Sequence, residues 1–362
     1  VTSTDLLYSD VDVELRAGLR AMLGARSAWP DVLRRTETAE TADPALWHTL
    51  ATEMELAGLA VPEEFGGAAA GFHQTAVVLE ELGRAVAPVP YLSSAVIATA
   101  ALLASRDAEL LAVVASGEKQ AALAVPFSSG PAAPPHTVHA DGSVLTGTVR
   151  AVAGGLTADV LLVPTAGGLF AVSAAEAVRE PVVSLDQTRP LADLSFSGAY
   201  GRLLARGDAA AEVVVTALVT GAALLASEQV GVAQWCLDTT VEYVRERHQF
   251  GRPIGSFQAV KHRLADVWVE VAQARAVARH AAVCAGAGGW EAVVAASLAQ
   301  AYCGPVAVLA AETCVQLHGG VGFTWEHPAH LYLKRAKSSA IGLGTADRHR
   351  AALAAMVDLP PA

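Results

Sequence analysis

Aromatic side chains are scarce in this chain, at 6% of 362 residues, and charged ones make up only 17%. Cations are the scarcer sign: 25 Lys and Arg against 36 Asp and Glu leave a formal net charge of −11. Phosphate-backbone contact needs clustered Lys and Arg, so the balance argues against nucleic-acid binding and for an ordinary acidic, soluble protein. Cysteine is rare too. Cys236, Cys284, Cys303 and Cys314 form no C-x-x-C pair and all lie in apolar stretches. That excludes a disulfide framework and a zinc site and points to buried free thiols in a cytosolic protein. The longest charge-free helical run falls between Glu212 and Glu228, short of the ~20 residues a membrane span needs, and reads as a buried bundle helix. Asp5, Asp10, Asp12 and Glu14 stand where a signal peptide would need an apolar run, so the expected location is cytoplasmic.

What is abundant is small and apolar. Hydrophobic residues make up 53%, much of it alanine, which loses no side-chain entropy in a helix. At about 150 residues per domain the length predicts two or three domains. Residues 1–118 read as helices, with Trp47, Leu50, Met54 and Leu56 at helical spacing, a break at Gly66-Gly67, and a second helix through Val77, Val78, Leu79 and Leu82. The run APVPYL (87–92) is a stop. Residues 119–207 carry short β-branched runs, LAVPF, SVLTGTV, DVLLVP, LFAVS and VVSL, with a turn at Asp141-Gly142 and a loop at SSGPAAPP (128–135), and read as a small β-domain. Residues 208–362 return to long helices: one ending near His248, one from Phe257 to the glycines at 285–289, one from Glu291 to His318, and one after Pro328. Four helices with short breaks predict a bundle.

Two segments carry chemistry. RERHQFGRPIGSFQAVKHRLAD (245–266) is helix, break, helix, and brings Arg247, Phe250 and Gln258 to one helix end. Arginine's fixed fork of donors matches phosphate; without a ligand the same segment is a helical turn with a solvated basic patch. In QLHGGVGFTWEHP (316–328), Gln316 and His318 close a helix and glycines follow, which lets a ligand or another backbone approach closely or simply stops the helix.

Taken together, these two segments resemble the signature of the acyl-CoA dehydrogenase family. VPEEFGG (61–67) and EELGRAVAPVP (80–90) are similar to that family's first domain. LTGTV (145–149), Ala158-Asp159 and LDQTRP (185–190) are similar to its middle domain. The phrasing is most like actinobacterial members that degrade steroid side chains, some of which form heteromeric tetramers. The resemblance implies a mostly α fold with a helical N-domain, a middle β-barrel or sandwich and a C-terminal four-helix bundle. It implies an FAD whose flavin lies in one subunit and whose diphosphate and adenosine reach the neighbour. On that basis Arg247, Gln249, Phe250, Phe257, Gln258, Gln316, Gly319, Gly320 and Thr345 are the expected cofactor-binding residues.

The departures from the family are as informative. Its base is a glutamate in a Y-E-G-T sequence; here Gly342-Leu343-Gly344-Thr345 stands there, and leucine cannot accept a proton. The other base position used in the family falls on Gly221. Glu228 is seven residues further along, about 10 Å at 1.5 Å per residue, and is expected at a bundle or subunit contact. In GTVRAVAGG (147–155), Ala151 and Ala153 replace the flavin-facing Trp and Thr of the family's G-T-K-x-W-I-T-N-G.

The implied function is an acyl-CoA dehydrogenase subunit that completes an FAD site held by a homologous partner in a heterotetramer, with no catalytic residue of its own. The alternatives are a self-sufficient homo-oligomer with Glu228 or Asp347 as a relocated base, and a non-dehydrogenase use of the fold. Glu326, His327 and His330 lack a fourth ligand, so no metal is expected. GLGTAD has no strand before it and is no dinucleotide fingerprint.

Overall fold

A computed structural model describes residues 6–130, 132, 134 and 136–357. The loop expected over 128–135 lies partly outside these. The N-terminal region is helical: α1 (Asp10–Arg26), α2 (Trp29–Thr36), α3 (Pro44–His48), α4 (Gly71–Arg84), α5 (Thr99–Ser105) and α6 (Ala108–Ala115). Side chains fix three of their starts. Ser9 and Asp12 form a reciprocal capping box on α1, Asp43 caps α3 through Leu46 N, and Asp107 caps α6 through Leu110 N. The helical spacing at Trp47 and Leu50 holds, with α3 running on as one wide turn, Thr49–Glu53. The stop at APVPYL is immediate but short: a second wide-turn helix, Leu92–Ala98, begins at once and feeds α5.

The middle region is one seven-stranded sheet in the order β1-β4-β5-β7-β3-β2, with β6 also paired to β7. Its strands are β1 (Ala121–Leu123), β2 (Val138–Asp141), β3 (Val144–Ala153), β4 (Val160–Thr165), β5 (Gly168–Ser173), β6 (Ala177–Val182) and β7 (Leu191–Arg206). The turn at Asp141-Gly142 joins β2 to β3, with Gly142 at φ +59°. Two expected strands need correction. VVSL begins at the last residue of β6 and runs off the sheet, leaving Val183 98% exposed, and LAVPF leaves it after Leu123. The longest strand, β7, was missed because its alternation is broken by Gly198 and Gly201. It pairs with β3 and β6 first and with β5 afterwards.

The bundle comprises α7 (Gly207–Glu246), α8 (Gln258–Ala287), α9 (Gly289–His318), α10 (Ala329–Ile341) and α11 (Ala346–Met356). A two-residue ribbon, β8 (His248–Gln249) with β9 (Arg252–Pro253), joins α7 to α8. The expected last helix is two, because the chain breaks at Gly342–Thr345, where Leu343 and Gly344 take positive φ. Pro305 sits inside α9 and cannot bond the Ala301 carbonyl; Arg350 of α11 donates to that oxygen at 3.2 Å instead. By length and composition α7 and α9 could each cross a membrane, yet most of their apolar windows are buried inside the protein, so they are core helices. One apolar core runs continuously from the N-terminal helices through the bundle, and a second lies within the sheet.

The crossing of α4 on α7 depends on two glycines. A Cβ on Gly231 would stand 1.9 Å from the Glu80 carbonyl oxygen, and one on Gly83 would stand 2.2 Å from that of Glu228. This close approach fixes where Glu228 points.

Candidate functional site

The Arg247 segment and the glycine turn come together at one end of the bundle. Arg247 caps the C-terminus of α7 through its N–H to Tyr243 O, and its own carbonyl accepts from Ile254 N at 2.8 Å. Phe250 is 90% exposed at φ +55°, edge-on to Phe257 at 6.2 Å, and Arg252 covers the Phe257 ring at 4.0 Å. Tyr243 is the link to the second segment. Its ring stacks on His318 at 4.3 Å and its hydroxyl donates to the His318 carbonyl at 3.4 Å.

Arg247, Gln249, Gln258, Gln316, Gly319 and Gly320 are all exposed, and Phe257 is half-buried. A Cβ on Gly319 or Gly320 would meet nothing within 4 Å, so their backbone faces open space, and Gly319 takes φ +64°. Among the described residues Arg247 has no carboxylate partner. A guanidinium without a carboxylate partner, on the helix end that Tyr243 joins to the glycine turn, can hold an anionic group that arrives from outside the chain. Thr345 stands apart, as the N-cap of α11, where it accepts from Arg348 N at 3.4 Å.

Beneath the turn, the His318 ring meets Cys314 on its own helix, with Nδ1 2.7 Å from the Cys314 carbonyl and 3.6 Å from its Sγ. A hydrogen bond from Cys236 brings the Cys314 thiol down to about 5, with His318 adding to the effect. Burial would lower the His318 imidazole, but Cys314 outweighs it and raises it. The turn therefore rests on a buried Cys236–Cys314–His318 cluster whose members shift one another's protonation. All four cysteines are buried and free, as expected.

The other candidate region lies between the sheet and α7. Leu343 and Gly221, where the resemblance places a base, are neighbours: a Cβ on Gly221 would meet Ile97 at 2.7 Å and Leu343 Cδ1 at 3.1 Å. Leu343 is 2% exposed and its N–H donates to the Phe127 carbonyl at 2.7 Å. Phe127 N in turn donates to the carbonyl of Ala151, which sits at φ +53° in a bulge of β3 where Asp193 accepts from its N–H. The cavity left among Ser93, Ile97, Ala153, Gly154, Arg189 and Glu228 is only about 30 Å³, little more than one water.

Glu228 is ionically locked. It pairs with Arg189 and, at 3.1 Å, with Arg335, and accepts from Ser339 Oγ at 3.4 Å. Arg335 also pairs with Asp186 at 2.9 Å and donates to the Thr188 carbonyl and hydroxyl at 2.9 and 2.7 Å. Burial alone would raise the Glu228 carboxyl, but the two guanidiniums outweigh it and hold it below the ordinary carboxylate value. The expectation of a bundle contact thus becomes an ionic tie within one chain, between α7, α10 and the segment just before β7. Sequence reasoning missed Asp186, Arg189 and Arg335. The available signal was the pair of charges in LDQTRP beside otherwise apolar strands, and an arginine on the apolar side of α10. Asp347, the other base candidate, is 92% exposed in its side chain and, among the described residues, pairs only with Arg350 three residues on.

Comparison with known proteins matches this arrangement throughout its length. Residues 11–110 match the N-terminal domain of acyl-CoA dehydrogenases and residues 211–357 the C-terminal domain. The chain is 38% identical over 325 residues to acyl-CoA dehydrogenase IpdE2 of Mycobacterium tuberculosis, covering 88% of this chain and 89% of that one. Its structure is similar to the ChsE4-ChsE5 complex from Mycobacterium tuberculosis, with a TM-score of 0.87 and 28% identity over 99% of this chain and all of that chain. It is also similar to the steroid ACAD Tcur3481-Tcur3483, with a TM-score of 0.86 and 31% identity over 96% of this chain and 98% of that chain. Helical N-terminal region, middle sheet, helical C-terminal region and whole-length similarity agree: this chain belongs to the FAD-using acyl-CoA dehydrogenase family.

Proposed function

We propose that this chain is the non-catalytic subunit of a heterotetrameric acyl-CoA dehydrogenase, cytoplasmic and acting on an acyl-CoA thioester such as a steroid side chain. It would complete the FAD site of a homologous partner that holds the flavin and the base. FAD, when bound there, accepts a hydride from the acyl chain. This chain's residues bind and orient: Arg247 takes the diphosphate, Gly319 and Gly320 admit it closely, and Phe250, Phe257, Gln249, Gln258 and Gln316 line the adenosine side. The observation that carries the reading is an asymmetry. Arg247, Gly319 and Gly320 are exposed, and among the described residues Arg247 has no carboxylate partner, whereas Leu343 is buried where the resemblance places the base and the cavity lined by Ile97, Ala153 and Glu228 is about 30 Å³. The diphosphate half keeps the residue types that fit FAD, and the flavin half, with Ala151, Ala153, Gly221 and Leu343, lacks those the resemblance places there. Similarity to a ChsE4-ChsE5 complex and to a steroid ACAD bearing two paired names supports a two-chain assembly and a steroid-derived substrate.

A self-sufficient enzyme draws less support. A base must be free to take a proton, and Glu228 is held ionised by two arginines while Asp347 lies in solvent. Co-expression with candidate homologous partners tests the proposal. FAD and dehydrogenase activity are expected only in a two-chain complex, and an active, yellow single chain would refute it.

A further inference from the structure

A second cavity, of about 320 Å³, lies away from this site where the end of α1 and the start of α2 meet α4, α7 and α10. That is within the size range of small-molecule sites. Trp29, Trp235 and Leu23 supply its apolar walls. Trp235 is held flat by Tyr332, stacked at 3.5 Å with an interplanar angle of 3°, and the Tyr332 hydroxyl is anchored on the Arg84 carbonyl at 2.6 Å. A rigid half-buried indole plane results, with no side-chain entropy left to lose when a flat molecule lies on it.

The polar groups around this plane have unused capacity. Ser27 is 6% exposed and its Oγ has no hydrogen-bond partner, an omission that costs free energy in a buried hydroxyl. Arg84 offers five N–H donors and spends one, on Asp238 at 2.7 Å. Glu81 is already saturated, by a bidentate pair with Arg20 at 2.8 and 2.6 Å and by Arg16 at 3.5 Å. The surplus at the cavity is therefore of donors, beside an aromatic plane.

We propose that this cavity binds an aromatic carboxylate, its ring lying against Trp235 and Trp29 and its carboxylate taken by Arg84 and the Ser27 hydroxyl. The site is independent of FAD and of the partner reading above, since none of its residues belongs to the Arg247 or Gly319 segments.

Calorimetric titration of the full chain, alone or in its native complex, with naphthalene-2-carboxylate and with the uncharged 2-naphthylmethanol tests this. One saturable site for the carboxylate is expected, with the alcohol at least about tenfold weaker. Ser27→Ala should weaken the carboxylate about ten- to a hundredfold, and Arg84→Gln should remove the preference over the alcohol. Ser27→Ala removes one oxygen and Arg84 is partly exposed, and circular dichroism establishes that the variants fold. No saturable binding at millimolar concentration would overturn the proposal, as would equal affinity for acid and alcohol, or an affinity that neither variant changes.

Discussion

Leu343 and Gly221 come from opposite ends of the bundle sequence and meet in the interior, where a Cβ on Gly221 would stand 3.1 Å from Leu343 Cδ1. The Leu343 backbone takes φ +55° with its N–H bonded to the Phe127 carbonyl, and its side chain is buried against Gly221. Leu343→Glu and Gly221→Glu are therefore each expected to give no reduction of flavin by acyl-CoA in the isolated chain supplied with FAD. Each buries a carboxylate among Ile97 and Phe127 and should lower the melting temperature. Bleaching of the flavin absorbance on substrate addition to either variant would contradict this.

The isolated chain is expected to show no dehydrogenase turnover with a ferrocenium-type acceptor across a panel of acyl-CoAs. The measurement is the steady-state rate at saturating substrate, compared with that of the two-chain complex. Robust turnover by the single chain would restore the relocated-base reading.

The lock on Glu228 makes a pH prediction. Its carboxyl lies lower in the folded chain than in the unfolded one. The stability it contributes is present above the unfolded value, about 4.3, and is lost as pH falls through the folded value. Unfolding free energy should therefore drop with acidification below about pH 4, and Glu228→Gln should flatten that slope. At neutral pH the substitution should cost about 3–5 kcal/mol, because it leaves Arg189 and Arg335 buried with one carboxylate, Asp186, between them. Denaturant unfolding at several pH values reads both effects; identical slopes for wild type and variant would remove Glu228 from the account.

Gly231→Ala tests the packing that aims Glu228. The added methyl would collide with the Glu80 carbonyl, which is backbone and cannot swing aside. A loss of about 1–3 kcal/mol or more is expected, against little for Gly18→Ala, where a Cβ meets nothing within 4 Å. Equal stability of the two variants would show that α4 and α7 separate easily.

The helices of this chain were legible because alanine-rich periodicity and glycine stops act locally: α8 and α9 begin and end within two residues of the sequence expectation. The Arg247 and Gln316–Gly320 segments were legible as motifs, and their meeting through Tyr243 follows from the helix ends being neighbours. What stayed hidden depends on long-range contact. The Asp186–Arg335–Glu228–Arg189 lock joins residues up to 149 positions apart, and no local pattern separates a buried paired arginine from a solvated one. The meeting of Leu343 with Gly221 is similar: the two residue types announce burial, but their contact across 122 positions appears only in the fold. β7 was lost because its glycines, needed where Leu145 and Phe170 crowd Gly201, break the alternation that marks a strand.

The central claim is that Arg247 completes a partner's FAD site. A charge-assisted arginine–phosphate contact contributes roughly 1.5–3 kcal/mol, about ten- to a hundredfold in affinity, far more than an exposed ion pair. Arg247 is exposed at a helix end, so its removal should leave the fold intact. The measurement is the FAD-to-protein absorbance ratio of the co-expressed complex after gel filtration, for wild type, Arg247→Ala and Arg247→Lys. The account predicts that alanine strips FAD at unchanged melting temperature of this subunit and that lysine, a point charge without the fork, restores it only in part. Full FAD occupancy and unchanged affinity in Arg247→Ala would contradict it.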